Sequence, residues 1–201
     1  MLNLENLYRQ IESCRDCELS RTRTKVVPGE GPSDASLLFI GEAPGFHEDQ
    51  QGRPFVGPAG QFLEQLLGSI GLKRSQVYIA NVIKCRPPSN RDPFPGEIQA
   101  CGKWLDQQIA SLNPRVVVTL GRFSMARYFP NETISKIHGK PKILENYACF
   151  PMYHPAAALH QGNLRKVIET DILKLPSILL EMKRRATPET PKLEDKQLNL
   201  F

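Results

Sequence analysis

The hydrophobic positions follow two periods. Leu4, Leu7, Tyr8 and Ile11 recur at helical spacing and predict a short amphipathic helix over 4–13. Four short apolar runs read as strands: Leu37–Ile40, Val77–Ala80, Val116–Leu120 and Ala148–Met152. Helical patterns lie between them, over about 59–71, 96–110 and 121–129. A last helix is predicted over 162–183, with Leu164, Val167, Ile168, Ile172 and Leu175 on its apolar face and a kink at Pro176. Strands alternating with helices predict a three-layer α/β/α fold around a central, mostly parallel four-stranded sheet. Ligands in such sheets bind beyond the carboxyl ends of the strands. The informative segments fall there: GEAPG after the first strand, Asn81 ending the second, and His154 after the last.

Composition adds bounds. The chain has 201 residues, 40% hydrophobic and 23% charged, enough for one domain with a core, expected over 1–183. No run approaches the length of a membrane helix and the N-terminus lacks a signal-peptide pattern, so a cytoplasmic, nucleoid-associated monomer is expected. The net charge of +5 agrees with a polyanionic partner without establishing one. From 184 to 201 the pattern becomes charged, proline-containing and aperiodic, the composition of a disordered tail, until QLNLF closes the chain.

Five cysteines are present. Cys14 and Cys17 form a C-x2-C pair, and Cys85 and Cys101 can complete a four-thiolate site. That set suits either tetrahedral zinc or an iron–sulfur cubane, and spacing does not separate the two. Cys149 sits in an apolar strand and reads as a small core residue.

Candidate chemistry is concentrated after the first strand. In GEAPGFHEDQQGRPFVGPAG, glycines permit close backbone approach, Glu42 or Glu48 can activate a water, and Phe55 can stack on a planar ring. Asn81 offers both a carbonyl and an amide, the complement of one edge of uracil; cytosine presents the opposite pattern there. His154 can donate to a developing negative charge. A solvated loop acid, a core aromatic or a structural histidine explains any one of these alone; their shared sheet edge favours a site.

Together, GEAPG-x2-ED (Gly41 to Asp49), Asn81, KCRPP-x-NRDP (Lys84 to Pro93) and HPAAAL (His154 to Leu159) resemble the family 4 uracil-DNA glycosylases over about residues 4–175. The resemblance implies a [4Fe–4S] cluster on Cys14, Cys17, Cys85 and Cys101. It implies that Gly41, Glu42 and Ala43 line a uracil pocket, that Phe55 stacks on the flipped base, that Asn81 reads its edge and that His154 stabilises the leaving uracil anion. The water-activating acid of the family 1 relatives falls at Ala43, leaving Glu42, favoured, or Glu48. The segment PSNRDPFPGE stands where a covalently trapping branch has an insertion, so ordinary turnover is expected. Arg53, Lys84, Arg86, Arg91, Arg165 and Lys166 are expected to meet DNA phosphates. Leu159, His160, Asn163, Leu164 and Arg165 either wedge into the duplex or, for Leu164 and Arg165, simply begin the last helix. Gln197, Leu198, Leu200 and Phe201 resemble a pentapeptide that binds the bacterial β sliding clamp; the alternative is a chance apolar terminus. Rival classes are a non-catalytic iron–sulfur DNA-binding protein and a zinc-dependent nucleotide-processing enzyme, neither of which needs a reader of the uracil edge.

Overall fold

The computed structural model describes residues 4–186. The strands are β1 (Leu37–Gly41), β2 (Tyr78–Asn81), β3 (Val116–Leu120), β4 (Lys142–Ile143) and β5 (Ala148–Met152). The helices are α1 (Leu4–Ser13), α2 (Leu19–Thr22), α3 (Phe46–Gln51), α4 (Pro58–Ser69), α5 (Pro95–Leu112), α6 (Arg122–Ala126), α7 (Ile134–Ile137), α8 (Pro155–His160), α9 (Gly162–Ile172) and α10 (Leu175–Ala186).

The sheet order is β2-β1-β3-β5-β4. Four strands run parallel, as expected, but the sheet has five. The added β4 pairs antiparallel with Cys149 and Ala148. Its two residues are both exposed, so no alternation of apolar and polar positions marks it.

Period-two alternation sends successive side chains to opposite faces. Leu37, Phe39, Val77, Ile79, Val116 and Val118 pack under α4, α9 and α10. Leu38, Ile40, Tyr78, Ala80 and Val117 pack against α1 and α5. Both faces are covered, which is why the parallel strands read as continuous apolar runs. Cys149 is fully buried in β5, and burial pushes its thiol up to about 12.

The last helix departs from expectation. Pro176 has no N–H for the Ile172 carbonyl, and its ring would clash there. The chain therefore breaks between α9 and α10 rather than kinking; Lys174 N donates to Asp171 O at 3.0 Å, and the helix restarts with Pro176 in its first turn. The helix expected over 121–129 closes early, at Ala126. Gln197, Leu198, Leu200 and Phe201 lie outside the described residues. No described helix is long and apolar enough to cross a membrane.

Candidate functional site

The crossover from β1 leads outward to β2, and the next returns to β3 on the other side of β1. That reversal opens a crevice beyond the carboxyl ends of the strands. Gly41 and Asn81 are register partners at the ends of β1 and β2, and Gly121 follows β3.

Gly41 is where backbone must come close. A Cβ there would stand 2.4 Å from Asn81 Oδ1 and 2.7 Å from the Phe55 ring. Phe55 cannot retreat. Its backbone sits at φ 51°, its carbonyl accepts from Arg74 Nη1 at 3.0 Å, and a Cβ on Gly60 would fall 1.9 Å from that carbonyl oxygen. The Phe55 ring lies 5.4 Å from His154's, the planes 25° apart. Phe55, Asn81, Gly41 and His154 thus form one constellation, as the sequence suggested.

Asn81 is 2% exposed, and its Oδ1 is buried with no hydrogen-bond partner among the described residues. Leaving a buried acceptor unpaired costs about 1–3 kcal/mol, so such an atom marks a place where a donor is to be received. Its backbone carbonyl accepts from Lys84 Nζ at 2.8 Å.

His154 caps α8, its Nδ1 accepting from Ala156 N at 3.1 Å. An accepting Nδ1 carries no proton, so the neutral ring bears its hydrogen on Nε2. Burial lowers its pKa to about 4, against the opposing pull of Glu48. At neutral pH His154 is therefore an uncharged Nε2–H donor.

The two acids of the first loop differ. Glu48 Oε1 accepts from Val56 N at 2.9 Å and Gly57 N at 3.0 Å, and Oε2 from Gly45 N at 3.1 Å. It stitches the loop after β1 to the start of α4. Glu42 is half-buried; burial first, then the charge of Asp92, raises its pKa, with Arg122 pulling it down. A carboxylate so poised is the better proton acceptor. Ala43 packs against the apolar cluster under α5.

A second feature lies under the same strand ends. Cys14, Cys17, Cys85 and Cys101 line one small cleft, with Ile11, Arg23 and Trp104. Arg23 Nη1 donates to Cys85 Sγ at 3.0 Å, and Lys84 N to Cys101 Sγ at 3.3 Å. Burial raises both thiols, Cys101 to about 11, while Arg23 and Lys84 draw them back. Among the described residues Trp104 Nε1 is buried without a hydrogen-bond partner. Among the described residues no three potential ligands stand close enough together for a single metal ion.

A profile of the uracil DNA glycosylase superfamily matches residues 28–173. The chain belongs to that superfamily. Several similar proteins are Type-4 uracil-DNA glycosylases. That of Sulfurisphaera tokodaii is 46% identical over 194 residues, 92% of this chain and 88% of its own. That of Archaeoglobus fulgidus is 45% identical over 185 residues, 87% of this chain and 92% of its own. That of Thermotoga maritima is 41% identical over 181 residues, 88% of this chain and 94% of its own.

The basic residues of this Type-4 chain divide by position. Lys84 is a correction: it is 1% exposed, and its ammonium donates to Asn81 O and, at 2.6 Å, to Gln108 Oε1, so it does not reach phosphate. Its two partners lie on β2 and α5, which no local pattern at residue 84 reveals. Arg53 pairs bidentately with Glu30, and Arg165 with Glu169 and Gln65 over the Phe62 ring. Arg86 and Arg91 lie in the loop after β2, together with Asp92, which pairs with Arg122. Of the wedge residues, Leu164 is half-buried in the first turn of α9, whereas Leu159 is 49% exposed. Sequence reasoning missed Arg23, Trp104 and the Asp92–Arg122 pair, which no spacing connects to their partners. It also missed Gly60, whose importance is visible only against the Phe55 carbonyl.

Proposed function

We propose that this protein hydrolyses the N-glycosidic bond of uracil in DNA. It releases free uracil and leaves an abasic site, as a monofunctional glycosylase of base excision repair. The observation that carries this reading is the buried, unpartnered Asn81 Oδ1 beside the stacked Phe55 and His154 rings. The names of the Type-4 relatives support it.

The mechanism follows from the groups present. The target bond is inaccessible in a duplex, so the nucleotide is flipped out at a cost of a few kcal/mol. The base stacks on Phe55 beside the backbone of Gly41, Glu42 and Ala43. Asn81 Oδ1 accepts from uracil N3–H while its amide donates to O4. Cytosine would set acceptor against acceptor and donor against donor, which hydrogen-bonding sites reject strongly. As the C1′–N1 bond breaks, its electron pair moves onto the base, and the Nε2–H of His154 donates to the oxyanion growing at O2. Glu42 takes the proton of the water that adds to C1′; Glu48 holds the loop.

Cys14, Cys17, Cys85 and Cys101 would hold a [4Fe–4S] cluster. The donor set fits: four soft sulfur donors line one cleft, and two already accept N–H bonds, the outer contacts that tune such sulfurs. The cluster would supply cross-linking, tying α1, the loop after β2 and α5 together. Arg86, Arg91, Arg53 and Arg165 are the candidate phosphate contacts and Leu159 the candidate wedge. The terminal Gln197, Leu198, Leu200 and Phe201 are proposed to engage the β sliding clamp. Purified clamp should retain the full chain, and equal retention of a chain ending at Lys196 would dispose of that part.

The deciding experiment is alkali cleavage of matched uracil and thymine oligonucleotides. Cleavage of the uracil strand alone is expected, with most activity lost in Asn81→Ala. An inert protein, or an Asn81→Ala variant as active as the parent, would overturn the assignment.

A further inference from the structure

Two phenylalanines are exposed where a folded chain has no reason to expose them: Phe46 is 52% and Phe94 57% exposed. Both belong to segments that leave the catalytic edge of the sheet. Phe46 opens α3, a few residues beyond Gly41, and Phe94 caps α5 at the end of the loop that follows Asn81.

They are also held. Gly45 N, beside Phe46, donates to Glu48, and Phe94 N donates to Glu97 Oε2 at 2.8 Å. Each ring carries a guanidinium: Arg86 Cζ lies 5.2 Å from the Phe46 centroid and Arg91 Cζ 3.7 Å from the Phe94 centroid. The two pairs are continuous. Arg86 Nε donates to Asn90 Oδ1 at 2.7 Å, and Arg91, next in sequence, is clamped bidentately by Glu97 at 2.9 and 2.6 Å. Exposed apolar rings on rigid backbone, each with a cation, beside a site that takes a flipped nucleotide, are unlike a core or a chance surface.

We propose that Phe46 and Phe94 are stacking platforms for the unpaired bases flanking the target nucleotide in single-stranded DNA, with Arg86 and Arg91 on the neighbouring phosphates. This rests on the glycosylase reading for the position of the strand. The cation over each ring favours nucleic acid over a protein partner; Glu97 offsets the charge of Arg91, while Arg86 is held by the neutral Asn90 amide. Aromatic stacking suits any base, because every base presents a π-face.

The test uses the full-length protein and single-stranded oligonucleotides carrying one uracil. They have natural neighbours, or an abasic spacer that keeps the phosphate on one side or the other. Stacking is worth about 5- to 150-fold per base. The parent should lose on the order of tenfold in kcat/KM with each spacer, mostly through KM. In Phe46→Ala and Phe94→Ala the penalty for one spacer should fall to about onefold, and Phe46→Trp and Phe94→Trp should restore it. Fluorescence anisotropy reads the same ratios as Kd, so the platform is tested even if no uracil is released, an outcome that would count against the glycosylase reading alone. A parent indifferent to both spacers, or alanine variants that keep the full penalty, would overturn the inference. A protein-partner role for the rings would give that second pattern.

Discussion

Replacing Gly41 with alanine adds one methyl group and should disable the pocket. The new Cβ would lie 2.4 Å from Asn81 Oδ1 and 2.7 Å from the Phe55 ring, where ordinary contact begins at 3.4 Å. Asn81 would have to yield about an ångström. Strand β1 cannot shift instead, being hydrogen-bonded to β2 on one side and β3 on the other. Phe55 is wedged between Gly41 and Gly60, with its carbonyl gripped by Arg74. Overpacking of this kind costs about 1–3 kcal/mol, and misplacement by about 1 Å costs on the order of 100-fold in rate. Gly41→Ala should therefore lower kcat/KM for uracil release roughly 100-fold while Tm falls by about 2–12 °C. Gly68→Ala is the control: its Cβ meets nothing within 4 Å, and it should stabilise helix α4 by about 0.5–1 kcal/mol. Single-turnover assays and urea titration read both quantities. A Gly41→Ala protein within threefold of the parent would refute the claim that these contacts hold the pocket's shape.

The two acids should separate by mutation: Glu42→Gln should cut kcat alone, whereas Glu48→Gln, which sets an amide against backbone N–H groups, should lower Tm as well. If the two variants behaved alike, the division of labour would be wrong. Because burial raises Glu42, the acid limb of kcat should lie above the ordinary glutamate range, activity rising with pH through that value and the limb vanishing in Glu42→Gln. His154, lowered to about 4, should add no limb between pH 5 and 8. The unfolded imidazole takes up its proton near 6.5, before the folded one, so His154 should make stability fall as pH drops from about 6.5 towards 4. Urea titrations of the parent and His154→Asn across that window check the sign. Cys85→Ser should lose visible absorbance and iron, and a colourless parent prepared without oxygen, holding zinc alone, would end the cluster proposal.

What the sequence disclosed follows physical lines. The parallel strands were legible because burial on both faces makes their runs continuous. The convergence of Gly41, Asn81 and His154 was legible because each ends or follows a strand, so topology alone gathers them. Lys84 was misjudged because a lysine two residues before Arg86 reads as surface; only the fold shows its ammonium closed between Asn81 O and Gln108 Oε1. Strand β4 was too short and too exposed to carry a period. Glu42 was favoured over Glu48 from the sequence; the three backbone amides that converge on Glu48 are contacts that no motif encodes.

The five residues from Asn81 to Cys85 carry a further implication. Lys84 sends its side chain to the backbone of Asn81 and its own amide to Cys101 Sγ, with Cys85 next along the chain. The end of β2 and the cysteine cleft are thus joined through one side chain and one amide. A Cys101 replacement that cannot accept would strip the Lys84 amide of its partner, next to the side chain that holds the end of β2. Loss of the cysteines is therefore expected to be felt at Asn81, some distance along the chain from Cys101, through that one amide.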